Sequence, residues 1–316
     1  MLHDIAIIGA GPGGISTAIE AKILGFEHIL LFEKESETSN TIRKFYKNGK
    51  RVDKDYKGQV VDLKGSIGFS DSTKEETLNL FDDLLKKHNI SPIFSTAIEK
   101  VTQKDGFFEI VTTKNDIYNA KFVVISVGKM GQPNKPDYKI PPSLLRKVAY
   151  NINDIQSGES VLVVGGGNSA AEYAIALSET NPTAINHRSH TFTAINEINA
   201  KDLENARVNN SLKMVLGLST TELKDNEGKV EACFDDGSSL IFDKVVYAIG
   251  GSVPLDFLKK CGIEIDDNKL PKVTNFESSI KNLFVIGDIL YKSGASISNA
   301  MNEGFEVASI IHSRKN

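Results

Sequence analysis

The chain has 316 residues, of which 40% are apolar and 25% charged, with a formal net charge of −4 and a pI near 5.9. This length suits about two globular domains of roughly 150 residues, and the charge balance excludes a general attraction to nucleic acid or to an anionic membrane. Two cysteines, Cys233 and Cys261, fit neither metal-ligand spacing nor a disulfide framework, so no metal centre is expected and a reducing, cytoplasmic setting is; no apolar run reaches the roughly 18 residues of a spanning helix.

The first element is the run Ile5–Ile8. No basic segment precedes it and glycines follow at once, so it reads as a buried strand and not as the core of a leader peptide. Gly9-Ala-Gly11-Pro12-Gly13-Gly14 then places glycine at all three positions of G-x-G-x-x-G. The first glycine allows the tight turn, the second lets backbone approach a pyrophosphate, and the third allows close helix packing while the helix N-terminus faces the anion. A carboxylate should follow about 20 residues on to hold an adenosine ribose. Glu33 stands 19 residues beyond Gly14, after the apolar run Ile29–Phe32 and before Lys34.

Further along, residues 42–57 carry seven Lys/Arg against two Asp in a chain that is acidic overall. The segment is either a solvated loop or a patch that steers an acidic partner, and Tyr46 and Tyr56 either flank a cofactor or pack in the core. Lys74–His88 reads as an amphipathic helix with Leu78, Phe81, Leu84 and Leu85 on one stripe and Ser72 or Thr73 as cap. The runs 107–113 and 122–127 suggest a small β meander, and the Gly/Pro-rich stretch Gly128–Pro136 a linker.

The device then recurs. Val161–Val164 leads into Gly165-x-Gly167-Asn168-Ser169-Ala170 and a helix over 171–178. The matching strand, 184–190, carries no carboxylate but Asn186, His187 and Arg188. A guanidinium binds phosphate in a bidentate way where a carboxylate repels it, which favours NADPH over NADH. A second crossing between domains is expected near Gly250–Pro254. Strand–helix alternation around two such devices predicts an α/β protein with parallel sheets and two nucleotide sites.

The later residues make a resemblance specific. Ile125-Ser-Val-Gly128 and Tyr247-Ala-Ile-Gly250 look like the two strands ending in A-T-G of two-dinucleotide flavoproteins, and Leu283-Phe-Val-Ile-Gly287-Asp288 is similar to their late FAD motif. In order and spacing the five motifs cover nearly the whole chain and resemble the low-molecular-weight thioredoxin reductases. The resemblance implies two Rossmann-like domains: an FAD domain from 1–130 and 248–316, and an inserted NADPH domain at 131–247. It implies that Asp288 holds the flavin ribityl chain, that the helix starting near Ser296 and Ile297 points its N-terminus at the isoalloxazine, and that the protein is a homodimer.

Departures from that family shape the expected chemistry. Thioredoxin reductases carry a C-x-x-C pair upstream of the second glycine motif, whereas 137–160 contains no cysteine, so a relay through an enzyme disulfide is not expected. Bacillithiol-disulfide reductases carry a cysteine in the first glycine motif, where this chain has Pro12-Gly13-Gly14. The phosphate motif H-R-R-x-x-x-R is matched at His187 and Arg188 but not at Ser189 and Thr193. The similar ferredoxin-NADP reductases extend past the last helix with an aromatic that stacks on the flavin, and no aromatic follows Phe305 here, so an uncovered flavin face is expected. Together these features point to NADPH reducing FAD and the flavin reducing flavodoxin, ferredoxin or a quinone directly, with no catalytic side chain required. A flavin monooxygenase-like enzyme and a non-catalytic dinucleotide-binding redox sensor are the alternatives.

Overall fold

The computed structural model describes residues 1–55, 60–129, 133–251, 254–292 and 294–315. The chain divides into two compact units, one formed by 1–131 with 253–316 and the other by 132–252. The first unit begins with β1 (Leu2–Ile8), α1 (Pro12–Ile23), β2 (Ile29–Phe32), α2 (Asn40–Phe45), β3 (Arg51–Val52), β4 (Ser72–Thr73), α3 (Lys74–Lys87), β5 (Ile98–Lys104), β6 (Phe107–Thr112) and β7 (Ile117–Ile125). The second holds β8 (Val148–Ala149), β9 (Val161–Val164), α4 (Asn168–Ser178), β10 (Thr183–His187), α5 (Glu197–Val208), β11 (Leu212–Leu216), β12 (Thr220–Asn226), β13 (Lys229–Phe234), β14 (Ser239–Phe242) and β15 (Lys244–Tyr247). The chain then returns to the first unit with α6 (Leu255–Lys260), β16 (Leu283–Val285) and α7 (Ile297–Ser313).

In the first unit β1 lies between β2 and β7, parallel to both, and β16 adds in parallel to the other side of β7. The expected meander is present with one strand more than the sequence suggested: β5, β6 and β7 are antiparallel neighbours, and β7 continues into the parallel sheet. Ile5, Ile7 and Val124 face one hydrophobic cluster and Ala6, Ile8, Val123 and Ile125 the other, so the sheet is apolar on both faces, as covered parallel sheets are. Helix α3 starts at a complete capping box, with Thr73 Oγ1 accepting from Glu76 N–H and the Glu76 carboxylate accepting from Thr73 N–H, a device worth about 1 kcal/mol. Its stripe is the expected one: Leu78, Phe81 and Leu85 are buried and Leu84 packs against them.

Helices α1 and α7 cross in close contact. A Cβ on Gly304 would stand 2.8 Å from both Gly13 O and Thr17 N, and Ser16 Oγ donates to Met301 O at 2.8 Å. Small residues on facing stripes therefore set how near the two helix N-termini come.

The second unit repeats the plan with a five-stranded parallel sheet, β11-β10-β9-β15-β8, backed by the antiparallel β12-β13-β14. β10 ends at His187, three residues short of the strand expected from sequence: Gly217 N–H is shared between the His187 and Ser189 carbonyls, and the chain turns so that Ala194 lies beside Gly167. Helix α4 starts at Asn168, three residues earlier than expected, because Gly167 supplies an extended N-cap.

Asp243, just before β15, accepts from Ser160 N–H (2.9 Å) and Ser160 Oγ (2.7 Å) ahead of β9, and Lys229 lies 3.1 Å away. These donors lower its pKa from 3.8 to about 2. A carboxylate depressed in the fold stabilises it above the unfolded value and loses that contribution as pH falls through the folded value. Asp243→Ala is expected to lower the stability of the second unit at neutral pH by on the order of 1–2 kcal/mol and to flatten its loss between pH 4 and pH 2, read from urea unfolding across that range.

Candidate cofactor sites

The register brings three motif turns of the first unit to one sheet edge. Ile8 pairs with Ile125, and Ile125 with Val285. The turns that follow, at Gly9, Ser126–Gly128 and Ile286–Asp288, therefore leave the sheet side by side, at the carboxyl ends of parallel strands where doubly wound folds bind ligands.

Gly9 has φ +105°, and a Cβ there would lie 2.3 Å from Ser126 O; a Cβ on Gly14 would lie 1.9 Å from Gly9 O. Gly11 is the opposite case: its φ is an ordinary −85° and nothing stands within 4 Å of the added Cβ. The open side of this backbone is where the motif brings a phosphate. Pro12 opens α1 and lacks an N–H, and the N–H groups of Gly13 and Gly14 find no acceptor among the described residues. Orphan donors and the helix dipole thus converge on one anion position.

Glu33 directly follows β2 and is buried. Its Oε2 accepts from Ala10 N–H at 3.0 Å and its Oε1 from Glu35 N–H at 3.1 Å. The carboxylate is locked to the glycine turn and keeps further lone pairs for hydroxyl donors. Lys34 is exposed and lies 3.8 Å from Glu35.

At the other turns Gly128 has φ +62°, and the next residue's N–H donates to Asp288 Oδ1 at 3.0 Å. Burial pushes the Asp288 carboxyl above its usual range, opposed by the Lys129 N–H and charge. Gly287, at φ +90°, donates its N–H to Glu303 Oε2 at 2.6 Å, while Tyr291 Oη donates to Glu303 Oε1 at 2.6 Å. Glu303, buried in α7, thus holds the Gly287–Asp288 turn against the helix; sequence reading missed it because a glutamate within a helix reads as surface. Ser296 caps α7 by accepting from Asn299 N–H at 3.1 Å, and Ile297 is the first helical residue.

The second unit shows the same device. Val164 pairs with Asn186 and with Tyr247, so the turns at Gly165, His187 and Ala248 share an edge. A Cβ on Gly165 would stand 2.3 Å from Ala248 O, whereas Gly167, at φ −103°, has nothing within 4 Å. The N–H groups of Asn168 and Ser169 lack acceptors among the described residues, and Ala170 donates to Gly167 O. The Asn168 side chain is engaged elsewhere, accepting from Asn196 N–H (2.8 Å) and Asn199 Nδ2 (3.0 Å).

Of the three polar residues ending β10, only Arg188 projects freely: it is exposed and has no protein partner among the described residues. Asn186 is buried, with Nδ2 donating to the Val215 and Leu218 carbonyls and Oδ1 accepting from Thr220. The His187 ring covers Gly166 and stacks on Phe192 at 5.1 Å, its pKa lowered by burial and by Arg188. Gly250, at φ +85°, accepts through its carbonyl from Asn134 N–H at 2.9 Å.

A family model described as pyridine nucleotide-disulphide oxidoreductase matches residues 6–287. The chain belongs to that family. It is a flavin-dependent NADPH oxidoreductase with FAD and NADPH as cofactors, on a thioredoxin reductase-like fold. A ferredoxin–NADP reductase of Rickettsia canadensis is 27% identical over 306 residues, which are 92% of this chain and 86% of the relative. Among solved structures, a bacillithiol disulfide reductase from Bacillus cereus superposes with a TM-score of 0.84 at 24% identity, covering 100% of both chains. The thioredoxin reductase of T. acidophilum gives 0.80 at 21%, covering 99% of this chain and 98% of its own. At these identities the two structures speak for the fold alone.

The residues present fit a dinucleotide at the first site. Besides the open Gly11 edge, Ser39 Oγ is buried and is the one such side-chain atom without a hydrogen-bond partner among the described residues. Ser39 sits at φ +52° and donates its N–H to Ala10 O at 2.8 Å, beside the glycine turn. A buried hydroxyl without a partner costs roughly 1–3 kcal/mol, and a phosphate or ribose oxygen there removes that cost. Sequence offered no signal for Ser39, since a serine within Glu35–Asn40 reads as ordinary loop.

The two open glycines supply a test. Gly11→Ala and Gly167→Ala meet no clash and no backbone strain in the protein alone, so both variants are expected to keep the melting temperature of the cofactor-free protein. Gly11→Ala is expected to lose FAD on gel filtration and Gly167→Ala to raise KM for NADPH tenfold or more. A clear fall in cofactor-free stability would instead make these glycines structural.

Proposed function

We propose that this protein passes electrons from NADPH through FAD directly to an external ferredoxin, flavodoxin or quinone, with no cysteine pair of its own in the path. The placement of the two cysteines carries this reading. Cys233 lies in β13 of the second unit, and Cys261 is buried at the end of α6 in the first. Burial pushes the Cys261 thiol up to about 12, opposed by a backbone hydrogen bond, so it is no thiolate at neutral pH. The stretch 137–160 supplies no other thiol. The ferredoxin–NADP reductase names of relatives at 24–27% identity support the same class of acceptor.

In this reading residues 1–130 and 248–316 form the FAD domain and 131–247 the NADPH domain. Gly9, Gly11, Pro12, Gly13 and Gly14 cradle the FAD pyrophosphate, Glu33 and Lys34 border its adenosine, and Gly128, Gly287, Asp288, Ser296 and Ile297 border the flavin end. Gly165, Gly167, Asn168, Ser169 and Ala170 cradle NADPH through backbone, with His187 and Arg188 at its 2′-phosphate and Gly250 at the return crossing. Bound FAD supplies a two-electron relay, and the protein's part is to hold and orient both cofactors and tune the flavin's surroundings. The basic segment contributes less to docking than its composition suggests: Arg43 pairs with Asp82 and Glu37, Arg51 with Asp53 and Asp71, and Lys54 with Asp55. Tyr46 packs against the core, and Tyr56 and Lys57 lie outside the described residues.

Anaerobic stopped-flow tests the proposal. NADPH is expected to bleach the flavin faster than NADH, and the reduced enzyme to be reoxidised by ferredoxin, flavodoxin or a quinone but not by disulfides. Turnover that disappears when Cys233 or Cys261 is alkylated would sink the thiol-free route. Arg188→Ala is expected to raise KM for NADPH about tenfold or more, the worth of a charged hydrogen bond to phosphate, and to leave NADH unaffected; equal loss with both coenzymes would remove Arg188 from the phosphate site.

A further inference from the structure

Lys129 follows Gly128 at the turn after β7 and is only 9% exposed, a rare environment for an ammonium group. Its backbone N–H binds Asp288 Oδ1 at 3.0 Å, and its Nζ donates to the carbonyl oxygens of Tyr291 and Lys292, in the segment joining Asp288 to α7. No carboxylate stands within ion-pair distance of Nζ among the described residues. Two acceptors therefore serve three N–H bonds, leaving one donor at the turn that carries Asp288, whose charge acts on the ammonium without an ion-pair contact. Burial lowers the Lys129 pKa and the Asp288 charge raises it. A buried ammonium hydrogen-bonded only to carbonyl oxygens, with no carboxylate in direct contact, is costly to the protein alone. A ligand that accepts a hydrogen bond, and becomes more negative during its reaction, would lower that cost.

We propose that Lys129 acts through its positive charge on bound flavin and raises its reduction potential. The inference rests on the FAD reading above. When NADPH gives up two electrons, its nicotinamide is left oxidised and the flavin is two electrons richer and more negative, so a nearby ammonium favours the reduced state. Lys129 is a positioning and electrostatic residue and gives up no proton. By holding the Tyr291 and Lys292 carbonyls it also ties the segment leading into α7.

The test compares wild type, Lys129→Met and Lys129→Arg, each loaded with FAD and equilibrated with a reference dye. Lys129→Met is expected to shift the equilibrium tenfold or more toward oxidised flavin, about 30 mV for a two-electron couple, and Lys129→Arg to stay near wild type. A Lys129→Met protein that holds FAD at the wild-type potential overturns the inference and leaves Lys129 as a loop clamp. If Lys129→Met holds no FAD, sulfite titration of wild type decides, since sulfite bleaches flavins that have a positive charge close by. Bleaching at millimolar sulfite supports the role and its absence overturns it. Wild type that takes up no FAD at all brings down the flavin reading itself, an outcome distinct from these.

Discussion

The alignment of parallel strand ends is the constraint on which both sites depend. In a parallel sheet the carboxyl ends of neighbouring strands meet one edge, and the register fixes which residues leave it together. In the first unit that register puts Ile8, Ile125 and Val285 in a row, so segments far apart in sequence deliver the Gly9, Gly128 and Asp288 turns to one place. In the second unit Val164, Asn186 and Tyr247 form the corresponding row. A shift of one residue would exchange a strand's two buried faces and misfit the packing on both sides of the sheet. The apolar burial on both faces therefore guards the geometry of the sites as well as the stability of the sheets.

Within that frame, buried polar groups fix the turns. Glu33 clamps Ala10, Glu303 clamps Gly287 and Tyr291, and Asp288 accepts from Lys129 N–H. Each carboxylate receives N–H or O–H donors from a loop that would otherwise carry unsatisfied backbone. The cost of burying each carboxylate is offset only while its own donors are in place.

What sequence revealed and what it did not separate along physical lines. The glycine turns were legible because close backbone approach, such as Gly14 against Gly9 O or Gly165 against Ala248 O, admits no side chain. The strands, helix α3 and its cap were legible for a similar reason: periodicity and capping chemistry are local. Residues whose role depends on distant partners were not. Ser39 matters because its left-handed backbone reaches Ala10, Glu303 because α7 folds back on Gly287, and Lys129 because its ammonium finds carbonyls some 160 residues away in sequence. Asn186 and Arg188, two residues apart at one strand end, looked alike in sequence. Packing against β11 and β12 consumed the amide of the first, while the bend after His187 released the second to solvent.

The contrast between the two sites follows from the same chemistry. At the first, a carboxylate locked to the glycine turn suits the neutral hydroxyls of a ribose and repels an added phosphate. At the second, the position after β10 carries an imidazole lying flat over Gly166 and a guanidinium with no protein partner among the described residues, an arrangement that favours an extra phosphate and gives a ribose hydroxyl no carboxylate to bind. The same device thus ends in opposite local charge in the two units, a buried carboxylate in one and an exposed guanidinium in the other. In the proposed reading, the strand–turn–helix device supplies the common affinity for pyrophosphate, and the strand-end charge sorts a ribose hydroxyl from a 2′-phosphate.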